Sequence, residues 1–223
     1  WLYFSSICHW CAMLRAWLAQ ATCAFRAGPA IDGLCSAIVS IGNDAGDLDS
    51  LVSSIAIASL RPIGDRSGRP LWLPVAPFAR CDFRLRQDAC LLFKHVGFDS
   101  DESGAPTDLL FLDEADPEVA DQWRDAGGLG LALVDHNACV PGVASIFGER
   151  VVAIVDHHND EQRHLVPPQS AEEGGQDVKT IASMVCGTSL RLIEPAVGST
   201  CSLLVELMDD SDSAGDCFHS HSP

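Results

Sequence analysis

Short apolar runs alternate with longer amphipathic segments along most of this chain, and the alternation constrains the fold more than any other feature. Continuous apolar strands that alternate with helices are typical of a mostly parallel sheet with helices on both faces. We therefore predict the α/β fold class. The predicted strands are residues 37–41, 71–75, 109–112, 129–134, 151–155, 180–185 and 189–193, and the predicted helical or amphipathic segments are residues 51–60, 82–95, 117–126 and 199–208.

Two flanking segments depart from this alternation. Residues 1–35 are rich in Trp, Leu, Ala and Cys but are interrupted by Arg15, so they are too broken for a membrane span and lack the features of a signal peptide. Residues 209–223 are rich in Asp and Ser and show no periodicity. We expect an apolar leader over residues 1–35, one domain over residues 36–208 and a disordered acidic tail over residues 209–223. The absence of an initiator Met indicates a fragment.

The charge balance excludes one class of function. The chain carries 31 acidic and 14 basic side chains, for a formal net charge of −17. Nucleic-acid binding rewards clustered Lys and Arg, so we predict no nucleic-acid partner. The acidic side chains are then either solvated surface or ligands of a cation.

The ten cysteines are scattered and form no disulfide framework. Cys8 and Cys11 make a CxxC pair, but no second pair of zinc ligands follows at a usable spacing. Cys139, Cys186 and Cys201 have apolar neighbours and are interpreted as small core residues. A reducing, cytoplasmic location fits this usage best.

Acidic and imidazole side chains follow three of the predicted strands. Ligands of open α/β sheets bind beyond the carboxyl ends of the strands, so these groups are expected at one edge. A single Asp before a helix, such as Asp49, is usually only an N-cap, but three strand ends of this kind point to a common site. The groups are Asn43, Asp47 and Asp49 after the first strand, Asp135 after the fourth, and Asp156, His157 and His158 after the fifth.

Such a cluster needs a cation. Two carboxylates about 4 Å apart repel by roughly 4 kcal/mol at an effective dielectric constant of about 20. Oxygen-rich ligands with one or two imidazoles favour Mg²⁺ or Mn²⁺ over Zn²⁺. Two such ions, bridged by a carboxylate and a water, form a common apparatus for hydrolysis of phosphoesters and phosphoanhydrides.

These motifs resemble those of the DHH phosphoesterase superfamily, most closely its exopolyphosphatase and family II inorganic pyrophosphatase branch. Asp156-His157-His158 matches the motif that names the superfamily, and Asn43 leads the first motif as in eukaryotic exopolyphosphatases and animal prune proteins. Residues 194–202 are similar to the glycine-serine-cysteine segment of that branch. The resemblance covers residues 38–208 and implies a Rossmann-like DHH domain.

The resemblance also implies roles for individual residues. Asn43, Asp47 and Asp135 would hold one metal ion, and Asp49, Asp135 and His157 would hold a second, so that Asp135 bridges the two. His158 would contact a substrate phosphate and Asp156 would orient the histidine pair. Asp135, His158 and Asp156 thus form the predicted catalytic set, with Mg²⁺ or Mn²⁺ as the cofactor.

Two family features are not recognisable in the sequence. The first is a further Asp on a later helix, since Asp209, Asp210 and Asp212 follow the last motif too soon. The second is a basic C-terminal domain of the DHHA2 type, which we expect to be absent. The leading hypothesis is an exopolyphosphatase-like, metal-dependent hydrolase. An inorganic pyrophosphatase and a truncated, inactive DHH-fold interaction protein are the alternatives.

The partners follow from these hypotheses. The expected substrate is polyphosphate or pyrophosphate. We predict neither a nucleic-acid partner nor a confident membrane segment, and the sequence leaves the oligomeric state open.

Overall fold

The computed structural model describes residues 2–29, 36–59, 70–126, 128–164 and 190–213. Its strands form one sheet in the order β3-β2-β1-β4-β5-β6, and every neighbouring pair is parallel. The predicted α/β fold class is confirmed. The strands are β1 Ala37–Ile41, β2 Leu71–Ala76, β3 Leu110–Phe111, β4 Leu129–Val134, β5 Val151–Asp156 and β6 Leu190–Ile193. The strand predicted at residues 180–185 lies outside the described residues, as does Cys186.

Helices connect the strands and follow the last one. One difference from the sequence prediction is the short helix that begins at Pro141, which periodicity did not identify. Another is the last helix, which runs beyond residue 208 to Ser213; the rest of the tail lies outside the described residues. The helices are α1 Leu2–Ala27, α2 Leu48–Ser59, α3 Gln87–His95, α4 Pro117–Ala126, α5 Pro141–Phe147 and α6 Thr200–Ser213, with 3-10 turns at Arg80–Leu85 and Leu112–Glu114.

The sheet is buried on both faces. On one face Trp123 of α4 and Phe147 of α5 pack with β1 and β4 residues such as Val39. On the other face Ile57 of α2 and Leu204 of α6 pack against the opposite side chains of the same sheet. Helices therefore cover both faces, as the continuous apolar strands predict.

The C-terminal half of α1 belongs to this core. Leu18, Ala21 and Phe25 are fully buried. The indole N–H of Trp123 donates to the Phe25 carbonyl at 3.0 Å, and the two rings stack at a centroid distance of 5.9 Å. The apolar side chains near residue 20 thus pack against the sheet and belong to its core. In the part of the chain that the structure describes, no helix is both long and apolar enough to cross a membrane.

The strand order places a topological switch point between β1 and β4. From β1 the chain builds outward to β2 and β3, and from β4 it builds in the other direction to β5 and β6. Loops that leave β1 and β4 at their carboxyl ends therefore diverge and leave a crevice between them. The residues that follow β1, β4 and β5 are those that the sequence singles out.

Candidate metal centre

Asp135 stands at the centre of this crevice, directly after β4. It is 2% exposed, and its backbone has a φ of 61°, a left-handed conformation that Asp tolerates better than most residues. Burial raises the pKa of its carboxyl group, and the nearby negative charges of Asp49 and Asp47 raise it further, against a hydrogen bond from Ser50 that lowers it. Asp135 is therefore a buried carboxylate, and the ring nitrogens His157 Nε2 and His158 Nδ1 lie 3.2 and 3.8 Å from its Oδ1.

Three hydroxyl and amide donors fix the orientation of the Asp135 carboxylate. Its Oδ2 accepts hydrogen bonds from Asn43 Nδ2 at 2.8 Å and from Ser50 Oγ at 2.7 Å. Its Oδ1 accepts a hydrogen bond from Thr200 Oγ1 at 3.2 Å. These donors come from the loop after β1, from α2 and from α6, so three separate elements converge on one side chain.

His157, after β5, directs one ring nitrogen at Asp135. Its Nδ1 lies 3.1 Å from the Val197 carbonyl, which can only accept, so we assign the ring proton to Nδ1. The other ring nitrogen, Nε2, lies 3.2 Å from Asp135 Oδ1 and 3.8 Å from Asp49 Oδ2. A backbone carbonyl that orients the other ring nitrogen is the usual support of a metal-binding histidine.

Asp49 connects α2 to the start of α6. Its carboxylate accepts the backbone N–H groups of Thr200 at 2.8 Å and Cys201 at 3.0 Å, and the Ser199 hydroxyl at 2.9 Å. Burial raises the pKa of Asp49, but these hydrogen bonds outweigh burial and the net pKa is lowered. Asp49 is consequently a stable anion beside His157.

His158 and Asp156 form a hydrogen-bonded pair at the rim of the same crevice. His158 Nδ1 lies 2.8 Å from Asp156 Oδ1, and its backbone N–H donates to the same oxygen at 3.1 Å. Asp156 is fully buried, whereas the His158 side chain is 52% exposed. The hydrogen bond that His158 donates to the Asp156 carboxylate raises the pKa of His158, which favours its cationic form.

Asn43 and Asp47 lie on the turn that follows β1. Asn43 contacts Asp135 through its amide nitrogen, as described above. Asp47 is exposed, and its Oδ1 accepts the Ser50 backbone N–H at 3.0 Å, so Asp47 and not Asp49 is the N-cap of α2. The structure thus places Asn43 in contact with Asp135 and Asp49 beside His157, whereas Asp47 lies exposed at the edge of the site.

The residues present fit a divalent cation. Among the described residues, Asp135, His157 and His158 each offer one ligand atom within 4.8 Å of the others. Asp49 adds a carboxylate oxygen on the His157 side. Carboxylate oxygens with an imidazole nitrogen suit Mg²⁺ or Mn²⁺, and a cation would offset the charge that raises the pKa of Asp135.

Sequence reasoning assigned no role to several residues that organise this centre. Asn137 is buried and donates to Asp156 Oδ2 at 2.5 Å, and its place two residues after Asp135 was the available signal. Arg86 donates to the Gly46 carbonyl at 2.7 Å, although the two residues are 40 positions apart in the chain. No local sequence pattern predicts that contact. In the sequence, Ser50 and Thr200 look like ordinary residues near helix N-termini. Only the folded sheet shows that both hydroxyls donate to Asp135.

Comparison with known proteins finds relatives that are named exopolyphosphatases. No family model matches the chain. Over 129 residues the chain is 32% identical to exopolyphosphatase PRUNE1 of Bos taurus and 31% identical to that of Homo sapiens, which is 58% of this chain and 26% of each relative. It is 30% identical over 146 residues to a putative exopolyphosphatase of Schizosaccharomyces pombe, which is 65% of this chain and 34% of that protein. The matched region spans about a quarter to a third of the length of these curated relatives.

Proposed function

We propose that this chain, a relative of the exopolyphosphatases of the DHH phosphoesterase superfamily, is a divalent-cation-dependent hydrolase that releases phosphate from polyphosphate. One observation carries the proposal. Asp135 Oδ1 and Asp49 Oδ2 lie 3.2 and 3.8 Å from His157 Nε2, at the switch point of a parallel sheet. Groups arranged in this way repel unless a proton or a cation lies between them.

Asp135, His157 and Asp49 would hold the cation, with Mg²⁺ or Mn²⁺ as the proposed ion. When bound, such an ion neutralises charge on a phosphate chain and lowers the pKa of a coordinated water. The protein's part is to keep its ligands in place. Thr200 and Ser50 hold the Asp135 carboxylate, the Val197 carbonyl orients His157, and the start of α6 holds Asp49.

His158 supplies the positive charge that a phosphate substrate needs. Its ring is half exposed, and its bond to Asp156 favours the imidazolium form, so it can bind a phosphate oxygen beside the cation. Asp156 acts on substrate only through His158. The names of the relatives support polyphosphate as the substrate, and the proposed compartment is the cytoplasm.

The test is phosphate release from long-chain polyphosphate in Mg²⁺ and in Mn²⁺, with the wild-type chain and Asp135→Asn. We expect the variant to lose at least about 100-fold in rate, because it keeps the shape of the side chain and loses its charge. Asp125→Asn, which changes an exposed carboxylate of α4, is the matched control and should retain the wild-type rate. Equal rates for the wild type and Asp135→Asn would contradict the proposal.

Pyrophosphate assayed in parallel distinguishes the substrate class. Faster release from long chains than from pyrophosphate is the expected result. A preference for pyrophosphate would keep the cation site and replace the proposed substrate. No release from either substrate, with Mn²⁺ still bound, would favour a binding role for the domain.

A further inference from the structure

Asn43 faces Asp135 with its amide nitrogen and turns its oxygen away. Nδ2 donates to Asp135 Oδ2 at 2.8 Å and to the Asp135 carbonyl at 3.3 Å. The amide oxygen, Oδ1, accepts the Gly46 N–H at 3.1 Å. A backbone N–H can only donate and a carboxylate can only accept, so these partners fix which amide atom is which. The side chain therefore directs a donor, not a ligand atom, at Asp135.

Ser50 acts on the same carboxylate oxygen. Its hydroxyl donates to Asp135 Oδ2 at 2.7 Å and accepts the Asn43 backbone N–H at 3.1 Å, in a fully buried position. Two donors thus occupy the two lone pairs of Asp135 Oδ2. Oδ1 accepts one hydrogen bond, from Thr200, and lies 3.2 Å from His157 Nε2. Asp135 presents only this oxygen for coordination.

We propose that Asn43 is a positioning residue and not a cation ligand, and that the centre holds one divalent cation, between Asp135, His157 and Asp49. This inference rests on the proposed function and departs from the pair of bridged ions that the family resemblance implies. A second cation on the Oδ2 side would have to displace the donors from Asn43 and Ser50. Both donors would then be left beside a positive charge, and the Ser50 hydroxyl would lose its acceptor in a buried site.

Asp47 supports the same arrangement from the start of α2. Its carboxylate is exposed, and its Oδ1 caps α2 through the Ser50 N–H. The carboxylate therefore stabilises the helix that carries Ser50, and helps to keep the Ser50 hydroxyl on Asp135. The turn after β1 serves to orient Asp135.

The experiment counts Mn²⁺ ions bound to the chain, with Mn²⁺ as the only added ligand. Calorimetric titration gives the stoichiometry, and electron paramagnetic resonance distinguishes an isolated ion from two ions about 3.5–4 Å apart, which couple. We expect one Mn²⁺ per wild-type chain with an uncoupled signal. In Asn43→Asp the donor becomes a carboxylate that can only accept, so we expect two Mn²⁺ per chain and a coupled signal. Asp44→Asn, an exposed change on the same turn, should leave the count at one.

Each result has one meaning. A coupled pair of ions in the wild type would overturn this inference and leave the proposed function intact. No bound Mn²⁺ in the wild type would overturn the proposed function itself. A single ion in a folded Asn43→Asp variant would overturn the claim that the Asn43 donor excludes the second ion. Should that variant fail to fold, the wild-type count alone decides the number of ions.

Discussion

The carboxylate of Asp49 accepts the backbone N–H of Thr200, a residue 151 positions later in the chain, at 2.8 Å. A side chain of α2 therefore caps the N-terminus of α6, where the helix dipole favours a negative charge. The same contact brings the Thr200 hydroxyl to Asp135. This contact joins α2, which follows β1, to α6, which follows β6, and it holds Asp49 and Thr200 beside the candidate cation site.

Asp49→Asn should weaken this junction. The amide cannot reproduce the charge-assisted hydrogen bonds to the start of α6, so we expect the free energy of unfolding to fall by about 1–3 kcal/mol. Urea unfolding measures the change. Asp125→Asn on the exposed face of α4 should stay within about 0.5 kcal/mol of the wild type. A stability equal to that of the wild type would show that Asp49 does not anchor α6.

Asn137→Ala tests the support of the Asp156–His158 pair. Asn137 Nδ2 donates to Asp156 and to the Asn159 carbonyl at 3.0 Å, and its Oδ1 accepts the Glu161 N–H at 2.8 Å. Its loss leaves a buried carboxylate with fewer donors, so we expect about 1–3 kcal/mol of destabilisation and a roughly 10–100-fold slower release of phosphate.

The split between kcat and KM identifies the function of Asn137. Disorder of His158, the proposed contact to substrate phosphate, should raise KM for polyphosphate. A variant that is less stable but has wild-type kcat and KM at a temperature where it is folded would make Asn137 a purely structural residue.

The sequence predicts much of this architecture because parallel strands leave a strong pattern. β1, β4 and α4 have the predicted bounds, since each is a clean apolar or amphipathic segment between turn residues. Helix α5 was missed because seven residues that begin with Pro141 and Gly142 are too few to show a helical period. A strand-end motif predicts that Asn43 reaches the site, but which amide atom faces Asp135 depends on Gly46 and Ser50 in the folded chain.

Arg86 holds the turn after β1 in place through hydrogen bonds to the carbonyls of Ala45 and Gly46. Its guanidinium donates to the Ala45 carbonyl at 2.5 Å and lies 3.4 Å above the Phe78 ring. Gly46 completes the fit, because its φ is +57° and a Cβ there would lie 2.2 Å from Phe78. Arg86→Lys should slow phosphate release several-fold and Arg86→Ala about 10–100-fold, since a lysine cannot bind two carbonyls in the same geometry.

Arg84→Ala is the matched control for this prediction. Arg84 is exposed in the 3-10 turn that directly precedes Arg86 and should be dispensable for activity. Phosphate-release rates of the three variants provide the comparison. An Arg86→Ala variant as active as Arg84→Ala would show that the turn after β1 keeps its shape without the hydrogen bonds from Arg86.

The ion pair of Arg80 and Glu114 makes part of the stability dependent on pH. Arg80 Nη2 donates to Glu114 Oε2 at 2.9 Å, with both side chains less than a third exposed. Burial raises the pKa of Glu114, but the hydrogen bond and charge of Arg80 outweigh it and lower the pKa below its ordinary 4.5. The pair therefore stabilises the fold above pH 4.5, and this contribution is lost as the pH falls through the lowered value.

Glu114→Gln should accordingly cost about 1–2 kcal/mol at pH 7, and the cost should shrink in acid below the ordinary pKa of Glu114. Denaturant unfolding at several pH values measures the difference. Glu118→Gln, an exposed change on α4, should show little effect at any pH. A Glu114→Gln cost that stays constant into acid would contradict the assigned charge pairing.

The affinity of the chain for Mn²⁺, measured by calorimetry with and without Asp135→Asn, tests the central claim most directly. We expect the wild type to bind and the variant to bind at least about 100-fold more weakly, because Asp135 is the buried carboxylate that lies 3.2 Å from His157 Nε2. Equal Mn²⁺ affinities for the wild type and a folded Asp135→Asn variant would contradict the account.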